Sequence, residues 1–298
     1  MQKNMNQIFT HNDLDGAVSL LTFLWSHPND AITFNNINNL QTDEIKSFIS
    51  RTINIPPPNI YVFDLSLRES FVSDLDKEYI TFIDHHKSSE NFVNRFKKAK
   101  IIYSETSSNS LLIRKHFADK APSLSNEQKK LILLTDDYDS FKLQFEESYD
   151  LNILFWTEYK NNFVKFIHDY KQGFKPFSEN QKNRIKNVKS LASKEAESCP
   201  KFFGSLEIKG IKKDTMGVLT NSLNNLVMDS LMRKYDPDLF FFINSKTQKV
   251  SLRQRKDKNP IDLNKFAEKF CEGAGHTYAA GGKITPLFME LTKNLKPL

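Results

Sequence analysis

Short apolar runs alternate with helical patterns through the first half of the chain, and that alternation leaves few folds open. Strand candidates fall at residues 8–10, 31–35, 60–65, 80–84 and 101–103. They run continuously apolar, as strands covered on both faces do. Helical patterns lie between them, at 16–25, 42–48, 67–75, 108–117 and 126–135. Strand, helix and strand in succession imply a mostly parallel α/β sheet with helices on its faces. Three prolines at 56–58 form a stiff lead into the third strand. No internal repeat or low-complexity tract interrupts the pattern.

Residues 151–200 change character, mixing polar and aromatic side chains at helical spacing. Residues 179–198 read as one long polar helix ending near Pro200, a connector between domains. Beyond it the sequence predicts a strand pair around 202–211, a helix at 216–234, strands at 239–244 and 249–253, and a helix at 261–270. The expected organisation is an α/β domain over 1–175, a helical linker over 176–200, and a smaller α/β domain with a mixed sheet over 201–298. The apolar stretch 216–232 suits a core or a homodimer contact equally.

Composition narrows the function classes. The 298 residues contain two cysteines, Cys199 and Cys271, too few for a disulfide framework or a zinc ribbon. No apolar run approaches the roughly 18–20 residues of a membrane span. The first seven residues lack the apolar stretch of a signal peptide. A soluble, cytoplasmic protein without a membrane partner is expected. Residues 1–198 carry 25 Lys+Arg against 26 Asp+Glu, whereas residues 199–298 carry 17 against 10. The basic surplus therefore sits in the last third, where it suits an anionic partner or a solvated lysine-rich surface. The chain has only nine glycines, about half the usual share. Four of them, Gly273, Gly275, Gly281 and Gly282, fall within ten residues, which signals a special backbone requirement.

Acidic and histidine-bearing segments lie at the ends of predicted elements. His11-Asn12-Asp13-Leu14-Asp15-Gly16 follows the first strand, and alternation in extended backbone points His11, Asp13 and Asp15 the same way. Asp64 ends the third strand, and Asp84-His85-His86 ends the fourth. Asp136-Asp137-Tyr138-Asp139 ends the last helix of this half. One aspartate after a strand is usually a helix cap, and a lone acidic run is a solvated turn. Jointly they are more telling, because the carboxyl ends of parallel strands share one edge where ligands bind. Carboxylates gathered there repel one another unless a cation compensates them. Mixed Asp/His ligation suits manganese, iron or zinc better than calcium, and six or more donors suggest two ions.

These motifs resemble those of the DHH phosphoesterase family. His11-Asn12-Asp13-Leu14-Asp15-Gly16, Asp64 and Asp84-His85-His86 match its first three motifs, and Asp137-Tyr138-Asp139-Ser140-Phe141 resembles its fourth. Residues 273–282 resemble the Gly-Gly-Gly-His…Ala-Ala-Gly signature of the DHH-associated C-terminal domain. The resemblance spans nearly the whole chain in order. It is closest to the NrnB-type nanoRNases of that family.

The resemblance implies two Mn2+ ions, with Mg2+ or another divalent ion as a substitute. His11 and Asp13 would bind one, Asp15 and His85 the other, and Asp64 would bridge both. The fourth-motif ligand is either Asp137, counting back from Phe141, or Asp139, by the Tyr-Asp wording, with Asp136 a distant third. Asp84 would orient an imidazole, and His86 would face the reacting phosphate. In the second domain, Arg253, His276, Gly273, Gly275, Gly281 and Gly282 would hold a phosphate of the substrate, with Arg255 and Lys256 adding attraction. Glu272 and Ala274 dilute the glycine run, and Glu272 adds negative charge there. The implied activity is hydrolysis of short RNA to mononucleotides. Linear or cyclic dinucleotides and 3′-phosphoadenosine 5′-phosphate are alternative substrates, and an inactive nucleotide-binding module is the remote alternative. A processive single-strand exonuclease would need an added oligonucleotide-binding domain, for which the chain leaves no room.

Overall fold

A computed structural model describes residues 5–38, 42–51, 59–105, 107–119, 123–140, 142, 144–221, 225–254 and 259–298. The chain forms two compact units, Met1–Ile185 and Lys186–Leu298. The proline lead at 56–58, Phe141, Arg255 and Lys256 lie outside the described residues.

The first unit is built on β1 (Met5–His11), α1 (Leu14–Ser26), β2 (Ala31–Ile37), α2 (Thr42–Arg51), β3 (Asn59–Phe63), α3 (Glu69–Leu75), β4 (Ile80–Asp84) and β5 (Lys100–Tyr103). Four helices follow, α4 (Asn109–His116), α5 (Asn126–Asp139), α6 (Glu146–Leu154) and α7 (Phe163–Asp169), and α8 (Glu179–Ser198) then carries the chain from the first unit into the second. The strands form one all-parallel sheet in the order β2-β1-β3-β4-β5. The inner strands β1, β3 and β4 are largely buried, as both-face coverage requires, although β1 also buries the polar Asn6, Gln7 and Thr10. The edge strand β2 departs from that expectation. Its residues are mostly exposed or half-buried, because an edge has one neighbour and thinner cover. One core layer packs Phe9, Ile60, Val62, Phe71, Ile80 and Phe82 together.

The second unit contains β6 (Lys201–Ile208), β7 (Ile211–Thr220), α9 (Asn225–Tyr235), β8 (Leu239–Asn244), β9 (Lys249–Gln254), α10 (Leu263–Cys271), β10 (Ala274–Gly275), β11 (Ala279–Lys283), α11 (Pro286–Thr292) and β12 (Lys296–Pro297). Its sheet is mixed, in the order β10-β11-β9-β8-β7-β6-β12, with only β7 and β8 parallel. The helix expected at 216–234 is corrected. Residues 216–220 complete β7, and the helix, among the described residues, is Asn225–Tyr235. Lys209 and Gly210, both at positive φ, form a two-residue turn whose twist suits a hairpin. That turn commits the following residues to pair with β6, overriding a period that short apolar runs leave ambiguous. The apolar side chains Met216, Val218, Val227, Met228 and Leu231 are buried.

The glycine cluster has a backbone explanation. A Cβ on Gly273 would lie 1.9 Å from the Gly281 carbonyl oxygen, and one on Gly282 would lie 2.3 Å from that of Cys271. The chain leaving α10 and strand β11 approach too closely for side chains. Gly273→Ala is therefore expected to destabilise the protein by about 2 kcal/mol or more. Gly217→Ala, whose Cβ would meet Leu295 at an ordinary 3.5 Å, should stay within about 0.5 kcal/mol. Urea unfolding of both variants checks the contrast.

Candidate metal centre

The carboxyl ends of β1, β3 and β4 bring three sequence segments together, and their registers fix the separation. Strand β1 delivers His11, and the chain then turns into α1. Asp13 caps that helix, its Oδ1 accepting from the Gly16 amide at 2.9 Å. Its other oxygen, Oδ2, lies 2.7 Å from His11 Nδ1. The cap and the candidate ligand are thus one residue using two oxygens. A Cβ on Gly16 would sit 2.1 Å from the His11 carbonyl, so the tight strand-to-helix turn requires glycine there.

Asp64 follows β3 in the left-handed region, at φ 58°, a conformation aspartate tolerates better than most residues. Its amide donates to the Ile83 carbonyl at 3.0 Å, pinning the residue beside β4. The side chain is 2% exposed and faces two ways. Oδ2 lies 3.7 Å from His11 Nδ1, while Oδ1 lies 3.1 Å from His85 Nε2 and 3.8 Å from His86 Nδ1.

His85 is buried and also approaches Asp15 Oδ2 at 3.8 Å and Asp139 Oδ2 at 3.5 Å. The donor groupings within the first unit include His11–Asp13–Asp64 and Asp15–Asp64–His85, and within each the donor atoms lie within 4.8 Å of one another. Both contain Asp64, which is the arrangement a carboxylate bridging two ions needs. The donor set, aspartate oxygens with imidazole nitrogens, fits manganese and comparable divalent ions.

Helix geometry sends the two aspartates expected as alternatives at the fourth motif in different directions. Helix α5 runs through Asp139, so the acidic run is its last turn rather than a loop beyond it. Residues two apart on a helix point about 200° apart. Asp139 accordingly reaches His85, and Asp137 turns away from the cluster. Asp137 accepts from the Gln144 and Phe145 amides at 2.9 and 3.1 Å and from the Ser148 hydroxyl at 2.6 Å. Asp136 accepts from the Ser108 amide at 2.8 Å and from Lys142 Nζ at 2.6 Å.

Supporting residues carry no motif of their own. The Asn109 and Ser110 amides, at the start of α4, donate to the two oxygens of Asp15 at 2.6 and 3.0 Å. Ser89 receives the Leu67 amide at 2.7 Å and donates to Asp84 Oδ2. Asp84 Oδ1 in turn lies 2.7 Å from His86 Nδ1, which orients the imidazole and makes Nδ1 the donor. Only a serine preceding a helix could have flagged the α4 contact, and serines there are common caps.

Charge in the cluster is balanced by the histidines. Burial works against charge on Asp64, but hydrogen bonds from His11 and His85 hold its carboxyl well below the usual range. Burial, reinforced by the charges of Asp139 and Asp64, pushes Asp15 well up. Partial burial, together with Asp64 and Asp13, lifts Asp139 to about 6 against the pull of His85 and His86. Burial opposes charge on His11, but Asp13 and Asp64 raise it to about 11, and Asp139, Asp64 and Asp15 likewise raise His85. The imidazoles supply positive charge that divalent ions would replace, since a ligating histidine is neutral.

In the second unit, pairing sets Arg253 opposite Ala279, beside the turn that carries His276. The His276 amide donates to the Ala279 carbonyl at 2.7 Å. Arg253 Nη1 donates to Ser251 Oγ at 3.0 Å and to the Leu252 carbonyl at 2.9 Å. Glu272 is exposed and ends α10 in the left-handed region, its carboxylate 3.2 Å from Lys283 Nζ. That pairing offsets the negative charge it brings to the glycine segment. Gly275 and Gly281 pair within the sheet formed by β10, β11 and β9.

No protein-family model matches the sequence, and no curated protein matches it. Solved structures do match its fold. A DHH domain from a protein described as a member of a family of ribosomal proteins aligns with a TM-score of 0.64 at 14% identity, covering 98% of this chain and 87% of that one. RecJ from Thermus thermophilus, in complex with Mn2+, gives 0.60 at 11% identity, covering 98% of this chain and 51% of RecJ. The pGpG-specific phosphodiesterase PggH from Vibrio cholerae gives 0.54 at 12% identity, covering 97% and 96%. The fold of this chain is that of the DHH-domain proteins.

Manganese should raise the melting temperature by roughly 5–10 °C when present at about 100-fold over its Kd. Asp64→Ala should abolish that shift and Asp139→Ala should shrink it. Asp137→Ala should melt lower without metal, by loss of its three hydrogen bonds, yet keep the full shift. Differential scanning calorimetry with Mn2+ and with EDTA measures all four proteins.

Proposed function

We propose that this protein is a divalent-metal-dependent phosphodiesterase, with manganese as the working ion, that hydrolyses short oligoribonucleotides to mononucleotides. The observation that carries the reading is the two-sided use of Asp64, one oxygen toward His11 and the other toward His85. The DHH fold and the nanoRNase-type motifs support the substrate class. His11, Asp13 and Asp64 would hold one ion, and Asp15, Asp64, His85 and Asp139 the other. Bound there, divalent ions supply Lewis acidity toward a phosphoryl oxygen and a water acidified toward neutral pH.

The remaining work falls to the chain's own side chains. Asp84 holds His86 through Nδ1, so Nε2–H is aimed as a donor to a phosphoryl oxygen that gains charge during attack. Ser89 fixes Asp84 in turn, so the imidazole is oriented before substrate arrives. Burial of Asp15, Asp64 and Asp84 keeps competing water from the carboxylates. In the second unit, Arg253 offers a guanidinium fork to a second phosphate, and His276 a further donor. The likeness to PggH favours a linear dinucleotide as the second reading.

Labelled RNAs of two, three and five nucleotides, digested with Mn2+ beside pGpG and cyclic dinucleotides, test the proposal. Stepwise release of mononucleotides from the short RNAs is expected. Cleavage of pGpG alone establishes the second reading, and uniform failure overturns both. Asp64→Ala should abolish turnover. His86→Ala should lower kcat by roughly 10²–10³ with little change in KM, as removal of one oriented donor does.

A further inference from the structure

The second unit buries a carboxylate that the reading above does not use. Asp229 lies on α9 and is 2% exposed, yet neither of its carboxylate oxygens has a hydrogen-bond partner among the described residues. A buried, unpartnered carboxylate is costly enough to need a reason. Its surroundings supply one.

Strand β9 sends alternate side chains to opposite faces. Val250 and Leu252 join the apolar cluster with Phe266 of α10 and Phe288 of α11. Ser251 and Arg253 therefore face the other way, and the hydrogen bond between them agrees. Helix α9 connects the parallel neighbours β7 and β8, and its buried Val227, Met228 and Leu231 take no part in that cluster. It covers the face that carries Arg253. On this face β7 and β8 present the apolar Met216, Val218, Phe240 and Phe242. The charges acting on Asp229 are Arg253, from β9, and Arg233, one turn further along α9.

We propose that Asp229 is the counter-charge of an anion subsite at Arg253: it takes up a proton from solvent when a phosphate settles there and releases it when the phosphate leaves. The inference rests on the reading that Arg253 takes a phosphate. Burial lifts the Asp229 carboxyl to about 7 against the pull of Arg253 and Arg233, so both forms are populated near neutrality. A phosphate brought to Arg253 adds negative charge nearby and favours the protonated carboxyl. By reciprocity, the protonated carboxyl favours the phosphate. Asp229 is on this account a positioning residue, which sets how strongly the guanidinium draws an anion.

Calorimetric titration of the full chain with ApApA tests this, in EDTA to prevent turnover. ApApA carries only phosphodiesters, which do not titrate between pH 6 and 8. Binding in two buffers of different ionisation heat at pH 7 should show uptake of about half a proton by wild type. Affinity should fall severalfold from pH 6 to pH 8. Asp229→Asn should lose that share of proton uptake and bind at pH 8 about as wild type binds at pH 6. Asp229→Glu should restore the uptake. Wild-type affinity that is flat with pH, or uptake unchanged in Asp229→Asn, overturns the inference. Arg253→Gln separates the two readings. If it binds ApApA like wild type, the phosphate reading of Arg253 fails. If it binds at least tenfold more weakly while Asp229→Asn behaves as wild type, only the counter-charge fails.

Discussion

The site depends on one buried carboxylate that must face two directions. Asp64 can do so because it leaves β3 in a left-handed conformation and is tied to β4 through the Ile83 carbonyl. In extended backbone its side chain would project to one face of the sheet. The turn places it at the sheet edge, between the segments that follow β1 and β4. His11, His85 and His86 then gather around its oxygens, and their imidazoles hold it charged despite burial. The neighbouring carboxylates respond oppositely. Burial pushes Asp15 and Asp139 up, and the negative charge held on Asp64 reinforces it.

The supporting contacts come from backbone that has no catalytic signature. The first amides of α4 would lack partners in an isolated helix. Here Asp136 accepts from Ser108, and Asp15 accepts from Asn109 and Ser110. A helix N-terminus therefore offsets part of the carboxylates' mutual repulsion, and it fixes Asp15 through both oxygens. Ser89 links Leu67 to Asp84, so the segments after β3 and β4 are tied to the same carboxylate that orients His86.

Legibility in the sequence followed the physics of each element. The inner strands β1, β3 and β4 were readable because two-sided burial favours apolar runs, such as residues 60–63, although β1 also buries the polar Asn6, Gln7 and Thr10. The acidic residues at their ends were readable because parallel topology gives those ends one edge. Asp137 and Asp139 could not be separated from the sequence, because the choice turns on where α5 stops. A helix ending at residue 135 would leave both in a loop. A helix ending at Asp139 sends them in opposed directions. The 216–220 segment was misread for a related reason. Its apolar residues fit either period, and the deciding signal was the Lys209–Gly210 turn that precedes it. Ser89, Ser108 and Ser110 gave no signal, since a serine's role is set by what folds against it.

The glycine cluster shows how one sequence feature can be right about backbone and open about purpose. Scarcity elsewhere made four glycines in ten residues a requirement rather than chance. Close passage of the chain leaving α10 beside β11 accounts for Gly273 and Gly282 without any ligand. The same passage has a consequence for chemistry. It holds β11 against β9 in the register that sets Ala279 opposite Arg253, and the Gly275–Ala280 pairing closes the turn that carries His276. A side chain at Gly273 or Gly282 would force β11 away and carry that turn with it. The glycines thus act on the placing of Arg253 and His276 through the register of a strand, and direct contact between their amides and a phosphate is not needed to explain them.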